Sequence, residues 1–330
     1  MNDRESYSFL GLPGGGLLLN LFTGGLFRLN ESAALIWRAW LSGTREPEIA
    51  AKLAAEHGLA PSVAARDVAL ALASTASAAG PSEHDSEYRY ERTDGGFSFS
   101  KDGTPLVIVD ERGEHLSLAA RAALSPWELV GILQAVSPKL MALRGNVVMH
   151  AAAVSLDGAI LAISGVSGAG KTTTARALVR AGAAPLSEDR LIIRTDGERV
   201  EGLVGDERAI GAWAAATAAD LAARRRVATT DLDRLCDGRY LPVREVGFVD
   251  AARRSGDAVR ATELDQLAAA TGVFRNCFYG SDRPNDWSRQ LLTAVDVAKA
   301  ISTFELTMPA GLAPLDPAAR AVVVRRSFRS

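Results

Sequence analysis

Cysteine is scarce in this chain: Cys236 and Cys277 are the only two, far apart and in no CxxC arrangement. That excludes a disulfide framework and a cysteine-built zinc cluster, and it suits a reducing compartment, so a cytoplasmic location is expected. A surplus of positive charge is also missing. The formal net charge is −2 at pH 7, whereas duplex nucleic acid demands a strong cationic excess, so no nucleic-acid partner is expected. No stretch reaches about 18 uninterrupted apolar residues, which leaves no expected membrane span. The opening MNDRESYSFLG has no basic segment leading into an apolar core, so no secretion signal is expected either. Internal repeats and long low-complexity tracts are absent. What remains is 330 residues, 48% of them apolar and 23% charged, enough for a substantial core and for two domains.

The first eighty residues read as one small α+β unit. In GLLLNLFTGGLFRLN two short strands flank Thr23-Gly24-Gly25, a tight hairpin turn. Asn30 stands where a helix N-cap belongs, Leu35, Ile36, Ala39 and Trp40 share a helical face, and Gly43 ends the helix. Thr44 is placed to cap a second helix that stops at Gly58, and a third, over roughly 62–78, carries Val63, Val68, Leu70 and Leu72. This is the composition of a winged-helix-like module. The polar stretch 78–87 contains Gly80-Pro81 and supplies the linker, set at 81–87. Beyond it come strands punctuated at Asp94-Gly95-Gly96 and Asp102-Gly103, a helix around 126–143, and then strand, glycine-rich loop, helix and strand. That second domain, 88–330, has α/β patterning. Alanine-rich runs at 214–223 and 267–270 favour helix.

The glycine-rich loop is GVSGAGKT, which fits GxxxxGK[ST]. An apolar strand, AILAISG, enters it and a helix beginning TTTARALVRAG leaves it. Such a loop turns successive backbone N–H groups of Gly165, Val166, Ser167, Gly168, Ala169, Gly170, Lys171, Thr172 and Thr173 toward phosphate oxygens at a helix N-terminus. Lys171 reaches the β- and γ-phosphates, and the Thr172 hydroxyl is placed to hold Mg²⁺. The lysine is telling because the whole chain has five. ATP or another nucleoside triphosphate, with Mg²⁺, is therefore the expected cofactor. Two further features narrow the chemistry. His150 ends a strand ahead of the loop, and Glu188-Asp189 precede an apolar strand after it. A carboxylate can take the proton of an acceptor hydroxyl and another can hold Mg²⁺, which suits phosphoryl transfer. Taken singly, a strand-end histidine is more often a core residue and an acidic pair a solvated turn.

The segment HAAAV to SEDRLIIR resembles the kinase core of HPr kinase/phosphorylase, an α/β fold with a P-loop similar to phosphoenolpyruvate carboxykinase. The resemblance spans roughly 95–315 and is strongest over 148–194. It implies that His150 is the catalytic histidine, that Gly165 to Thr172 hold the nucleotide, and that Glu188 and Asp189 correspond to an aspartate pair. Glu at the first position is a departure, one methylene longer. The segment 203–240 does not carry the family's phosphorylase signature. Its Arg224-Arg225-Arg226 run is more in keeping with a solvated helix face than with a phosphate contact. Residues in GLLLNLFTGGLFRLNESAALIW resemble PqqD-like peptide-recognition domains, which bind a precursor's leader as an added strand. That resemblance implies a groove built from Leu26, Phe27, Arg28 and Leu29 with Arg66 and Leu70. The rival for this module, a DNA-binding winged helix, is disfavoured by six Lys/Arg against seven Asp/Glu in residues 1–80.

Together these readings lead to an ATP-dependent kinase that phosphorylates a Ser or Thr of a ribosomally synthesised peptide, lasso-peptide precursors being one such class. The peptide is gripped by the front module. His150, Lys171, Glu188 and Asp189 are the expected catalytic residues, and Thr172 and Asp189 the metal ligands. The resemblance also implies a homo-oligomer as one option. Two alternatives stand: a kinase of a small molecule or carrier protein, and a non-catalytic ATP-gated regulator that presents peptides.

Overall fold

The computed structural model describes residues 3–21, 24–73, 88–119, 124–204, 206–224, 226–229, 231–232, 238–249, 259–278 and 284–307. The 81–87 linker, Thr23, Arg225 and Cys236 lie outside them. The chain forms two compact units, one built on residues 1–82 with 264–275 and 282–299, the other on 83–263, 276–281 and 300–330.

In the first unit β1 (Tyr7–Leu12), β2 (Gly15–Asn20) and β3 (Leu26–Leu29) form an antiparallel sheet in that order. Helices α1 (Glu31–Leu41), α2 (Glu46–His57) and α3 (Pro61–Ala73) follow. Asn30 caps α1 as its sequence indicates, its side chain accepting from the Ala33 N–H at 2.9 Å. The helix buries more than the expected face, because it is sandwiched. Ile36 packs with Ile49, Leu53 and Val68 of α2 and α3, while Ala34 and Trp37 pack on Leu18 and Leu29 of the sheet. The cap of α2 falls one residue beyond Thr44. Arg45 takes the position, and the Glu48 carboxylate accepts from both its main-chain N–H (3.4 Å) and its guanidinium (2.9 Å). Gly58 then closes α2 in the left-handed conformation, φ 63°. On α3, Ala64 and Val68 face the core, but Val63 and Leu70 are exposed.

The second unit has two sheets. β4 (Tyr88–Thr93), β5 (Gly96–Lys101), β6 (Thr104–Asp110) and β7 (His115–Leu118) make an antiparallel meander. α4 (Pro126–Leu143) starts at a capping box, Ser125 with Glu128, and packs its Leu129, Leu133 and Leu140 into the core below the meander. The second sheet begins with β8 (Val147–Met149), β9 (Ala151–Leu156) and β10 (Ala159–Ser164). Then come α5 (Lys171–Arg180), β11 (Ala184–Ser187), β12 (Leu191–Thr195), β13 (Val200–Leu203) and α6 (Asp206–Arg224). β14 (Arg226–Ala228) adds to the edge of the meander through β7, so Arg226 lies in a strand and not on a helix face. β15 (Tyr240–Val249) and β16 (Arg260–Glu263) complete this part. Along the chain, α7 (Gln266–Arg275), β17 (Cys277–Phe278), α8 (Pro284–Ala300) and β18 (Ser302–Thr307) follow.

Strand order in the larger sheet is β11-β9-β10-β15-β13-β12-β8-β17, with β18 beside β15 and β16 beside β18. β10, β15 and β18 run parallel and the remaining pairs antiparallel. All six residues of β10 are buried, as a strand covered on both faces requires. β8 and β9 are separated in the chain by His150 alone, yet four strands stand between them in the sheet. The sheet therefore curls until these two strands meet, and His150 sits at the junction. Among the described residues no helix is long and apolar enough to cross a membrane.

Helices α7 and α8 cluster with the first unit. α7 packs against β2 and β3, opposite α1, which explains why three consecutive leucines, Leu17, Leu18 and Leu19, are all buried where a one-faced strand would alternate.

Candidate functional site

The 165–170 loop joins the buried end of β10 to the first turn of α5. Gly165 has φ 148°, and a Cβ there would lie 2.3 Å from the Val249 carbonyl oxygen of β15, so only glycine permits this exit from the strand. Gly168 and Gly170 also have positive φ. Gly170 occupies the N-cap of α5 and offers no side-chain acceptor, and the first turn holds no acidic residue. The N-terminal amides of α5, Lys171 to Thr173, thus keep their partial positive charge for a ligand. Val166, Ser167 and Gly168 are exposed at the loop's rim, and Ala169 is buried beneath it.

Lys171 is buried, and its Nζ donates to the carbonyls of Gly165 (3.0 Å) and Val166 (3.1 Å). Burial lowers its pKa, an effect that the negative charge of Asp189 opposes. Thr172 is half-buried and Thr173 exposed in the same turn. A hydroxyl at Thr172 and a carboxylate at Asp189 are hard oxygen donors of the kind Mg²⁺ takes.

His150 is buried with its main-chain N–H donating to Asn276 at 2.7 Å. The Ser164 hydroxyl, at the base of the loop, donates to its carbonyl at 2.8 Å, and the Phe278 ring lies 5.8 Å from the imidazole. His150 Nε2 stands 3.1 Å from Asp189 Oδ1. The hydrogen bond from His150 holds Asp189 below the usual carboxylate range; burial works against this, and the charges of His150, Arg190 and Lys171 add to it. An ionised carboxylate can only accept, so Nε2 carries the proton in this pair. The Ala151 N–H donates to the Asp189 carbonyl at 3.1 Å, tying the main chain of the two residues together as well.

Of the residues singled out in the sequence, the fold brings His150, Asp189 and Lys171 to one place. Glu188 points elsewhere. Its carboxylate pairs with Arg176 of α5 at 3.2 Å, with both side chains more than half exposed, an ion pair of about 0–1 kcal/mol. Glu188 and Asp189 both lie in the bend that follows β11, where their side chains find partners on different elements, Arg176 of α5 for Glu188 and His150 for Asp189. Residues that the motif did not indicate hold His150 as well: Asn276 and Phe278 through β17, which pairs with β8, and Ser164 through β10, which pairs with β9.

In the first unit, β3 is an edge strand. The Asn20 N–H donates to Gly25 at 2.8 Å, so by alternation the main-chain groups of Leu26 and Arg28 point away from β2. Arg275 of α7 donates to the Leu26 carbonyl at 3.3 Å, and Arg28 pairs with Asp265 at 2.7 Å. Leu26 and Leu29 are buried, Phe27 partly, whereas Arg66 and Leu70 are exposed on α3.

Residues 15–78 match the family described as Coenzyme PQQ synthesis protein D (PqqD), so β2, β3 and α1 to α3 make a PqqD domain. The second unit is a mixed α/β structure. No curated protein matches the chain. Among solved structures, that of the Hpr(Ser) kinase/phosphatase from Coxiella burnetii is similar over 56% of this chain and 99% of its own, with 11% identity and a TM-score of 0.28.

Proposed function

We propose that this chain is an ATP-dependent kinase acting on a Ser or Thr hydroxyl of a ribosomally synthesised peptide, with residues 1–80 holding the leader and 88–330 carrying the chemistry. The observation that carries this reading is the meeting of Lys171 with the His150–Asp189 pair beside the glycine loop. A helix N-terminus and a buried lysine suit polyphosphate, and a carboxylate kept ionised suits a proton acceptor. Bound with Mg²⁺, ATP would supply the γ-phosphoryl group. The loop amides and Lys171 would hold its phosphates, and Thr172 and Asp189 the metal.

Asp189 has one oxygen engaged by His150, which leaves the other for metal or for the acceptor's proton. His150 keeps that carboxylate oriented and charged. Glu188, paired with Arg176 at the surface, is left outside this role, so Asp189 alone of the acidic pair acts as the carboxylate. In the recognition unit the outward main chain of Leu26 and Arg28 offers an edge to which an extended peptide adds, with Arg66 and Leu70 beside it. Tethering the leader raises the local concentration of the core to about millimolar, so the transfer site need not bind it tightly.

The test is intact-mass measurement after incubation with Mg-ATP and a panel of synthetic precursor peptides, their leaderless forms, or no acceptor. A gain of about 80 Da on leader-bearing peptides alone supports the proposal. Leader-independent gain would point to a small-molecule or carrier-protein kinase, and nucleotide binding without any transfer to a regulator.

A further inference from the structure

α4 contains a proline, Pro138, in its interior. Proline has no N–H, so the carbonyl four residues earlier, that of Gln134, loses its helical donor. Two groups take its place. The buried Ser137 hydroxyl donates to the Gln134 carbonyl at 2.8 Å, and Arg190 Nη1 donates to the same oxygen at 2.8 Å and to Ser137 Oγ at 2.6 Å. The gap in α4 is thus a socket for one guanidinium, which belongs to the residue directly after Asp189. The turn around it is closed locally too: the Ser187 hydroxyl and the Arg190 main chain bond to each other across residues 187–190. Asp189 is therefore fixed on one side by Ala151 and on the other by a residue plugged into a helix more than fifty positions away in sequence.

We infer that Arg190 is a positioning residue: seated in the acceptor gap that Pro138 opens in α4, it sets the 187–190 turn so that the Asp189 carboxylate meets His150. The Gln134 carbonyl that Pro138 leaves without a helical donor is a strong acceptor, and a single guanidinium nitrogen, Nη1 of Arg190, serves both it and the Ser137 hydroxyl. The consequence for catalysis rests on the phosphoryl-transfer reading above; the aim of Asp189 does not.

The experiment is the ¹⁵N spectrum of the His150 imidazole at one fixed pH, assigned with His150→Gln, alongside kcat and KM for transfer. Arg190→Met keeps the aliphatic stem and removes every donor. Its His150 Nε2 resonance is expected to move away from the carboxylate-bonded position, with kcat down about tenfold or more and KM for ATP within about twofold. Arg190→Lys should recover part of both changes. Pro138→Ala restores a main-chain N–H that competes for the Gln134 carbonyl, and it should move the same resonance in the same direction by less. If Arg190→Met fails to fold, Pro138→Ala decides. Unchanged His150 resonances in the variants, with only a lower melting temperature, would overturn the inference and leave Arg190 a purely structural plug. A moved resonance in a protein that transfers no phosphoryl group would remove the transferase reading alone and uphold the positioning by Arg190.

Discussion

Replacing Gly165 by alanine probes the phosphate loop without touching a charged group. Two separate penalties apply. The backbone sits at φ 148°, and a side chain in a positive-φ region costs about 1–2 kcal/mol. The new Cβ would also stand 2.3 Å from the Val249 carbonyl oxygen, a main-chain atom of β15, a strand paired on both sides by β10 and β18. Relief requires the loop to leave β15, so the loss should reach about 3 kcal/mol or more. Gly168 is the internal control, since its φ is 74° but a Cβ meets nothing within 4 Å. Gly168→Ala therefore carries only the backbone term, about 1 kcal/mol. At about 2–4 °C per kcal/mol, calorimetry should find Gly165→Ala lower by about 6–12 °C and Gly168→Ala by about 2–4 °C. A fluorescent ATP analogue should bind the first variant far more weakly than the second. Equal losses for the two alanines would refute the steric reasoning.

Other expectations follow from the same structure. Lys171→Met removes a buried, partly desolvated cation, so its melting temperature should match or exceed that of the parent while nucleotide affinity falls by about two orders of magnitude in a titration with ATP. Burial pushes the Cys277 thiol up to about 12, so the unfolded chain ionises near pH ~8.5 while the folded one does not. Stability should then fall above that pH, by up to about 1.4 kcal/mol per pH unit, and urea titrations of Cys277→Ala should lack this contribution. Arg275→Ala frees the Leu26 carbonyl for an added strand and should tighten leader binding about two- to tenfold by fluorescence anisotropy. Weaker binding would mean that α7 is part of the grip.

The local elements were legible because their signals are local. The Asn30 cap, the glycine stop at Gly58, the 126–143 helix and the strand–loop–helix around Lys171 each depend on a few neighbouring residues. Thr44 misled because Glu48 can serve Arg45 instead, a choice set by one residue of register. Leu17 to Leu19 could not be interpreted from their own segment, since what covers their second face is a helix about 250 residues later. The same holds at the site. The spacing of His150 and the acidic pair is visible in the sequence, but which acid meets the imidazole depends on the bend after β11 and on Arg176 of α5 taking Glu188, and Arg190 takes its partners beside a proline in another helix.

The central claim is that His150 and Asp189 act on phosphoryl transfer and not on nucleotide holding. Single-turnover transfer from γ-³²P-ATP to a leader-bearing precursor peptide, measured beside ATP affinity for His150→Gln and Asp189→Asn, addresses it most directly. The account predicts transfer slowed by at least about 10²-fold with ATP affinity in metal-free buffer changed by no more than about threefold. Transfer at the parental rate in both variants would contradict it.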